Sequence, residues 1–433
     1  MKRLKDRMFS GDAGNVLKGM MTLALGSGAG RAIGFLSMPV ITRIYAPEDF
    51  GVLTVFIALV SVLARLVRRR YVMALPLPRH DGMAMNLLVV SAGLIGALSA
   101  AFAFCLWMWR DALLAVLSME QLAPWWWLLA ISVLGTAIYE LMSLWGTRKR
   151  SYKVMSRSSV TQSFLGAGIK IGLGFAGLRP EGLLLGQLAA QAGGLGIMWR
   201  TFGRGFKANL RHVNLRRLKL VVMRYRGFAI YRTPSQLLFN FTRQAPAFFS
   251  AAIYGVATAG QLGLALSIIA VPLGLFGTSV GRALYAEAAS IGMREPHRVR
   301  KLVRKVQLQL FFVGLVPALL FFFFGVEVFD FVFGSAWSQA GEFASLVSVY
   351  LLFQFVSAPL MQAINLLDIQ HMFLVINIIR VGIVAAIAGL AYSIELSAEG
   401  FVGSYAVAMA LIYAVLMIWI DQRFGRAAHR LET

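Results

Sequence analysis

Long apolar runs separated by short charged clusters give this chain its rhythm. A helix crosses the hydrocarbon core with roughly 20 mostly apolar residues. Runs of about that length fall near residues 19–42, 49–67, 83–109, 122–147, 155–177, 181–199, 228–253, 257–281, 306–333, 341–366, 370–393 and 400–420. The pattern predicts an all-α polytopic membrane protein of about twelve transmembrane helices. The second run is the most interrupted, by Arg65 and by Arg68, Arg69 and Arg70. The longest polar stretch lies between the sixth and seventh runs, near the middle of the chain. It divides the sequence into a six-helix bundle over residues 1–200, a basic amphipathic linker over 201–226 and a second six-helix bundle over 227–433. In the linker, Leu210, Val213 (or Leu215), Leu218 and Val222 fall on one helical stripe among basic residues, which suits either a helix on an anionic lipid surface or a solvated basic linker.

A faint internal repeat supports the division. Ile44-Tyr45 is followed by Gly51, and Ile253-Tyr254 is followed at the same spacing by Gly260. Six spans is an even number, so both halves enter the membrane in the same direction. The expected fold is two parallel six-helix bundles around a central cavity.

Composition changes the picture in two ways. With 58% hydrophobic residues and only 14% charged, a soluble core of this size is excluded. The net charge is +23, but the cations sit between spans instead of on one polar face, which argues against nucleic-acid binding. With the N-terminus taken as cytoplasmic, thirty-four Lys and Arg lie on the inner side, and only Arg43, Arg110 and Arg179 lie on the outer side. That asymmetry predicts an inner-type membrane protein with both termini in the cytoplasm. The basic N-terminus lacks a small-residue cleavage site, so its first apolar run reads as a retained helix. A lone Cys105 and five scattered histidines predict no disulfide, no metal site and no cofactor.

Five cations fall inside predicted spans: Arg31, Lys170, Arg232, Arg243 and Arg380. Two acids, Glu140 and Asp368, lie within spans or at their edges. Charge at membrane depth is costly and marks cavities or partners. Arg232, Gln236, Asn240 and Arg243 stack on one face of span seven. Similar polar stripes run through span four (Ser132, Thr136, Glu140, Ser143, Thr147), span five (Ser159, Gln162 or Ser163, Gly166, Lys170), span ten (Tyr350, Gln354, Ser357, Asn365) and span eleven (Asn377, Arg380). The excess of cations predicts a hydrated passage for an anionic cargo such as a phosphate or diphosphate headgroup. Arg31, Lys170, Arg232, Arg243 and Arg380 would then bind substrate, with Gln236, Asn240, Gln354 and Asn377 lining the cavity. Glu140 and Asp368 are candidates for proton or sodium-ion coupling, or for ion pairs with Arg232 or Arg380.

Residues 41–88 carry a more specific signal. Arg43-Ile44-Tyr45, Pro47-Glu48-Asp49-Phe50-Gly51, Arg70-Tyr71 and Leu77-Pro78 resemble the opening of bacterial oligosaccharide (O-antigen-type) flippases. These are polysaccharide transporters of the multidrug/oligosaccharidyl-lipid/polysaccharide (MOP) exporter superfamily. The chain departs from their pattern at Val72, where the family usually has Glu. The resemblance implies inward-to-outward movement of an undecaprenyl-diphosphate-linked oligosaccharide for surface polysaccharide biosynthesis. It also implies polysaccharide polymerase machinery as a partner. Two other readings remain. A membrane glycosyltransferase or polymerase needs paired acidic catalysts, and the outer loops show none at a catalytic spacing. A cation-coupled drug antiporter needs cavity carboxylates, whereas this interior is net basic. ATP-driven transport lacks its phosphate-binding loop, and Gly26, Gly28, Gly30 and Gly34 suit close helix packing instead.

Overall fold

The computed structural model describes residues 11–67, 70–78, 80–116, 119–230, 233–272, 295–358 and 370–429, with positions 280, 281, 284, 287, 288 and 291. Arg232, Asn365 and Asp368 lie outside these residues. The described secondary structure is helical throughout. In order the α-helices are α1 (Gly11–Ile44), α2 (Pro47–Val67), α3 (Asp81–Val116), α4 (Trp126–Arg148), α5 (Tyr152–Phe175), α6 (Glu181–Ala192) and α7 (Leu195–Leu210). They continue as α8 (Leu215–Ile230), α9 (Thr233–Tyr254), α10 (Val256–Pro272), α11 (Pro296–Phe333), α12 (Ser338–Ser357), α13 (Gln370–Ser393) and α14 (Ala398–His429). Among the described residues, eight helices are long and apolar enough to cross a bilayer on composition alone. The other four expected spans are helical but shorter or more polar: α5, α6 with α7, α9 and α10. Exposed Phe312, Phe322, Phe323 and Phe324 along α11 show a surface made for lipid.

The contacts divide the chain into two compact units. Unit 1 comprises Met1–Tyr45 and Val52–Asn240, and unit 2 comprises Ala46–Gly51 and Phe241–Thr433. In unit 1, α1 packs along α5, and α5 along α6. Glycines make the first contact possible. A Cβ on Gly26 would lie 1.7 Å from Ser156 Oγ, and one on Gly30 would lie 2.9 Å from Ser163 Oγ. Gly26 and Gly30 therefore serve helix packing, whereas a Cβ on Gly34 would meet no atom within 4 Å.

The motif at the α1–α2 junction has a physical reading residue by residue. The Tyr45 hydroxyl donates to the Lys170 carbonyl at 2.7 Å and ties the end of α1 to α5. Pro47 occupies the first helical position of α2, where its missing N–H costs nothing. The Ala46 N–H donates to Asp49 Oδ2 at 3.1 Å, which caps the same helix. Phe50 is buried against Trp337, ring centroids 4.7 Å apart. A Cβ on Gly51 would lie 1.9 Å from the Val256 carbonyl oxygen, and one on Gly260 would lie 2.1 Å from the Pro47 carbonyl oxygen. Pro47 with Gly51 and Val256 with Gly260 are the corresponding positions of the internal repeat. α2 and α10 thus approach each other closely at both glycines.

Two expectations are revised. Span six is not one helix; it breaks between α6 and α7 at Gly193 and Gly194. The break frees backbone carbonyls, and α5 satisfies them. Ser158 Oγ donates to the Gly194 carbonyl at 3.0 Å, and Gln162 Nε2 donates to the Gln191 carbonyl at 2.7 Å. The linker is likewise two helices, because α7 runs on to Leu210 and α8 starts afresh at Leu215. Asn86, fully buried on α3, holds the elbow between them: its Nδ2 donates to the His212 carbonyl at 3.0 Å, and its Oδ1 accepts from Asn214 N at 3.2 Å. The predicted stripe from Leu210 to Val222 is therefore interrupted. Met198, Phe202 and Phe206 anchor α7 instead, while Arg200, Arg204 and Lys207 stay exposed.

In unit 2, α12 is the central helix, packing on α10, α11 and α14. Twelve of its residues are buried, and they cover all but one narrow face, where Glu342, Leu346 and Val349 are exposed.

Candidate functional site

Polar residues within apolar helices have to find partners locally or hold something else. In unit 1 most of them find partners. Thr136 Oγ1 on α4 donates to Gln191 Oε1 at 3.1 Å. Ser159 and Ser163 face Gly30 of α1. The span-four and span-five stripes are largely spent on packing within the unit. Glu140, half-buried on α4, is itself engaged in an interaction. Asn240, 3% exposed, accepts a hydrogen bond from the Arg65 guanidinium. Gln236 is half-buried one turn earlier on α9. Arg65, which interrupts the second run in sequence, thus holds the polar face of the seventh.

Of the five predicted intramembrane cations, the structure describes four. Arg31 on α1 and Arg243 on α9 are exposed. Lys170 on α5 is 7% exposed; its Nζ donates to Gln187 Oε1 on α6 at 2.9 Å. Gly186 leaves the room for it, since a Cβ there would lie 2.3 Å from Lys170 Cγ. No carboxylate pairs with Lys170 among the described residues.

Arg380 in unit 2 is the most constrained. It lies on α13, one turn after fully buried Asn377, and is 2% exposed. Its guanidinium carbon stands 4.5 Å from the centroid of the Tyr413 ring on α14. Tyr413 is itself stacked on Tyr350 of α12, with centroids 6.1 Å apart and planes 27° apart. Tyr405 meets Tyr350 edge-on at 5.6 Å. Gln354 Nε2 donates to the Tyr413 hydroxyl at 3.1 Å and fixes the ring. Arg243 lies within electrostatic reach of Tyr350 and Tyr405, and Arg380 within reach of Tyr405. So the structure brings Arg380, Arg243 and Gln354 to one tyrosine cluster in unit 2, while Arg31 and Lys170 lie in unit 1.

The electrostatics of this cluster are unbalanced. A desolvated cation–π contact contributes about 2 kcal/mol. Yet Arg380 Nε and Nη2 have no hydrogen-bond partner among the described residues. An unpaired buried neutral donor costs about 1–3 kcal/mol, and charged donors cost more. The ring stack orients the guanidinium but does not satisfy its edge.

The sequence reading named Tyr350 but missed Tyr405, Tyr413 and Gln187. One signal was there: Tyr405, Met409, Tyr413, Leu416 and Ile420 recur on one face of an otherwise aliphatic span, and all are buried. Hydroxyls repeated on such a face point inward to a polar partner. The larger apolar groove of unit 1, about 780 Å³ and lined by residues such as Gly135, Gly172 and Leu188, contains none of these cations.

Comparison with known proteins agrees with this architecture. The polysaccharide biosynthesis protein family matches residues 40–342. Solved structures of similar fold include the lipid II flippase MurJ in an inward closed conformation, at 11% identity and a TM-score of 0.64, covering 95% of this chain and 90% of that one. The Vibrio cholerae MATE transporter VcmN in the bent form aligns at 14% identity and a TM-score of 0.56, covering 96% of this chain and 99% of that one. An inward-facing multidrug resistance MATE family transporter of the MOP superfamily aligns at 16% identity and a TM-score of 0.55, covering 94% and 95%. No curated protein matches the sequence.

Proposed function

The chain belongs to the polysaccharide biosynthesis protein family, and from that premise we propose that it is a flippase for a lipid-linked oligosaccharide. Its fold is that of the MOP superfamily, in which the neighbouring structures are a lipid II flippase and multidrug transporters. The observation that carries the proposal is the pair of buried cations. Lys170 and Arg380 sit on apolar helices with no carboxylate paired to either among the described residues. A cation kept in that setting is suited to anionic cargo, and arginine's fork suits phosphate oxygens.

In this reading the two six-helix halves, residues 1–200 and 227–433, line a central cavity and alternate its access between leaflets. The substrate is an undecaprenyl-diphosphate-linked oligosaccharide. Its diphosphate is attracted by Arg31, Lys170, Arg232, Arg243 and Arg380, and its sugars meet Gln236, Asn240, Gln354 and Asn377. The tail stays in the bilayer. Both termini face the cytoplasm, and the basic face of α7 and α8 lies against anionic lipid of the inner leaflet. Glu140 and Asp368 carry the coupling ion, a proton or sodium. Polysaccharide polymerase machinery receives the product.

Transport separates this reading from enzymatic ones. Purified protein is reconstituted into proteoliposomes with a fluorescent polyprenyl-diphosphate oligosaccharide, and accessibility in each leaflet is read with a membrane-impermeant quencher. Protein-dependent exchange of label between leaflets, with the sugar chain unaltered in length, is expected. Elongation or transfer of sugar in detergent, without leaflet exchange, would count for a glycosyltransferase instead.

A further inference from the structure

Arg380 Nε and Nη2 share one edge of the guanidinium, the edge that makes two parallel N–H···O bonds to a carboxylate or phosphate. Both are buried, and both lack a partner among the described residues. The carbon between them is held over Tyr413, whose ring is clamped by Gln354 and stacked on Tyr350. Three groups on two other helices thus fix a fork that has no partner among the described residues. Where this unit uses arginine to stabilise structure it looks different. Arg300 and Arg304 each reach both oxygens of Asp421, at 2.6 to 3.0 Å.

From this contrast we propose that the Nε–Nη2 edge of Arg380, aimed by Tyr413, is a bidentate oxyanion subsite in unit 2. Its ligand is a phosphate of the carrier lipid or a carboxylate of an acidic sugar. Tyr413 and Tyr350 are positioning residues, because their ring faces are occupied by each other and by the guanidinium. Arg243, exposed and within electrostatic reach of Tyr350 and Tyr405, is a second cation near the same cluster. At 2% exposure the subsite is closed, so a ligand enters only when transport opens this face. In that respect the assignment rests on the flippase reading.

The test is binding to the purified full chain in detergent. Farnesyl diphosphate probes the phosphate source and a glucuronate trisaccharide probes the sugar source, each titrated by calorimetry in chloride-free buffer. One of the two is expected to bind wild-type protein. Arg380→Lys, which keeps the charge but not the fork, should weaken that probe at least tenfold. Tyr413→Leu should do the same, whereas Tyr413→Phe, which retains the ring, should stay within about threefold. In wild-type protein the bound probe should also protect Arg380 from phenylglyoxal, mapped by mass spectrometry, a readout that needs no variant. Absence of binding by both probes, unchanged affinity in Arg380→Lys, or no protection of Arg380 would overturn the subsite. So would equal protection by chloride alone, which would make the fork a structural anion site. Failure of the wild-type leaflet assay with binding intact would instead remove the flippase reading and leave the subsite standing.

Discussion

Among the described residues, each half of the protein buries one cation on its fifth expected span and holds it with a side chain from its sixth. Lys170 on α5 donates to Gln187 on α6, and Arg380 on α13 lies over Tyr413 on α14. The two are 210 positions apart, within one residue of the 209 that separate Gly51 from Gly260. They fall within one residue of matching places in the sequence repeat, and their surroundings differ. The lysine meets an amide oxygen, a satisfying acceptor for a compact ammonium. The arginine meets an aromatic face, which orients a planar cation and leaves its edge open. One position is compatible with a structural or electrostatic role, whereas the other has the geometry of a binding site with a defined direction.

Substitutions sharpen that contrast. Removing the fork should have the largest effect. Arg380→Gln is expected to lower leaflet exchange about 100-fold, or about 2.7 kcal/mol of transition-state stabilisation, with normal membrane expression. Wild-type exchange in that variant would erase the distinction between the two cations. Crowding the lysine comes next. A Cβ at Gly186 would meet Lys170 Cγ at 2.3 Å and the Gly166 carbonyl oxygen at 2.8 Å. Gly186→Ala should therefore lower thermal stability by about 2 kcal/mol, read as a shifted melting curve in detergent.

Discharging the lysine should be milder. Lys170→Met preserves volume and removes a buried charge, so the melting temperature should hold or rise. Exchange should fall about tenfold, about 1.4 kcal/mol. A fall as deep as that of Arg380→Gln would make the two positions functionally equal. The smallest effect belongs to an arginine cluster that already has its carboxylate. Asp421, 23% exposed, bridges Arg300 and Arg304, which are 29% and 59% exposed. Asp421→Asn should lower stability by about 1 kcal/mol, discounted for solvent screening, and leave exchange within about twofold.

The fold was legible in sequence to the extent that lipid dictates it. A bilayer fixes span length and demands that every backbone polar group be satisfied within the span, so apolar run length and the Lys/Arg bias pick out helices that a soluble fold would blur. The repeat was legible through only a few residues, among them Gly51 and Gly260, where two backbones approach closely. Polar stripes were the weak signal. Ser158, Gln162 and Thr136 look the same in sequence whether they line water or pair locally; here Ser158 and Gln162 bond carbonyls at the break beside Gly193 and Gly194, and Thr136 bonds the Gln191 side chain.

By itself, then, the sequence determined an all-helical membrane protein, its repeat and the positions of its intramembrane charges, since hydropathy and helical period are local properties. Only the tertiary structure decided which charges are answered. Whether a side chain meets an amide, a carboxylate, a ring face or nothing depends on helices far apart in the chain. Span six needed its break before Gln162 had a carbonyl to bond, and Arg380 needed α12 and α14 beside it before its open edge acquired a meaning.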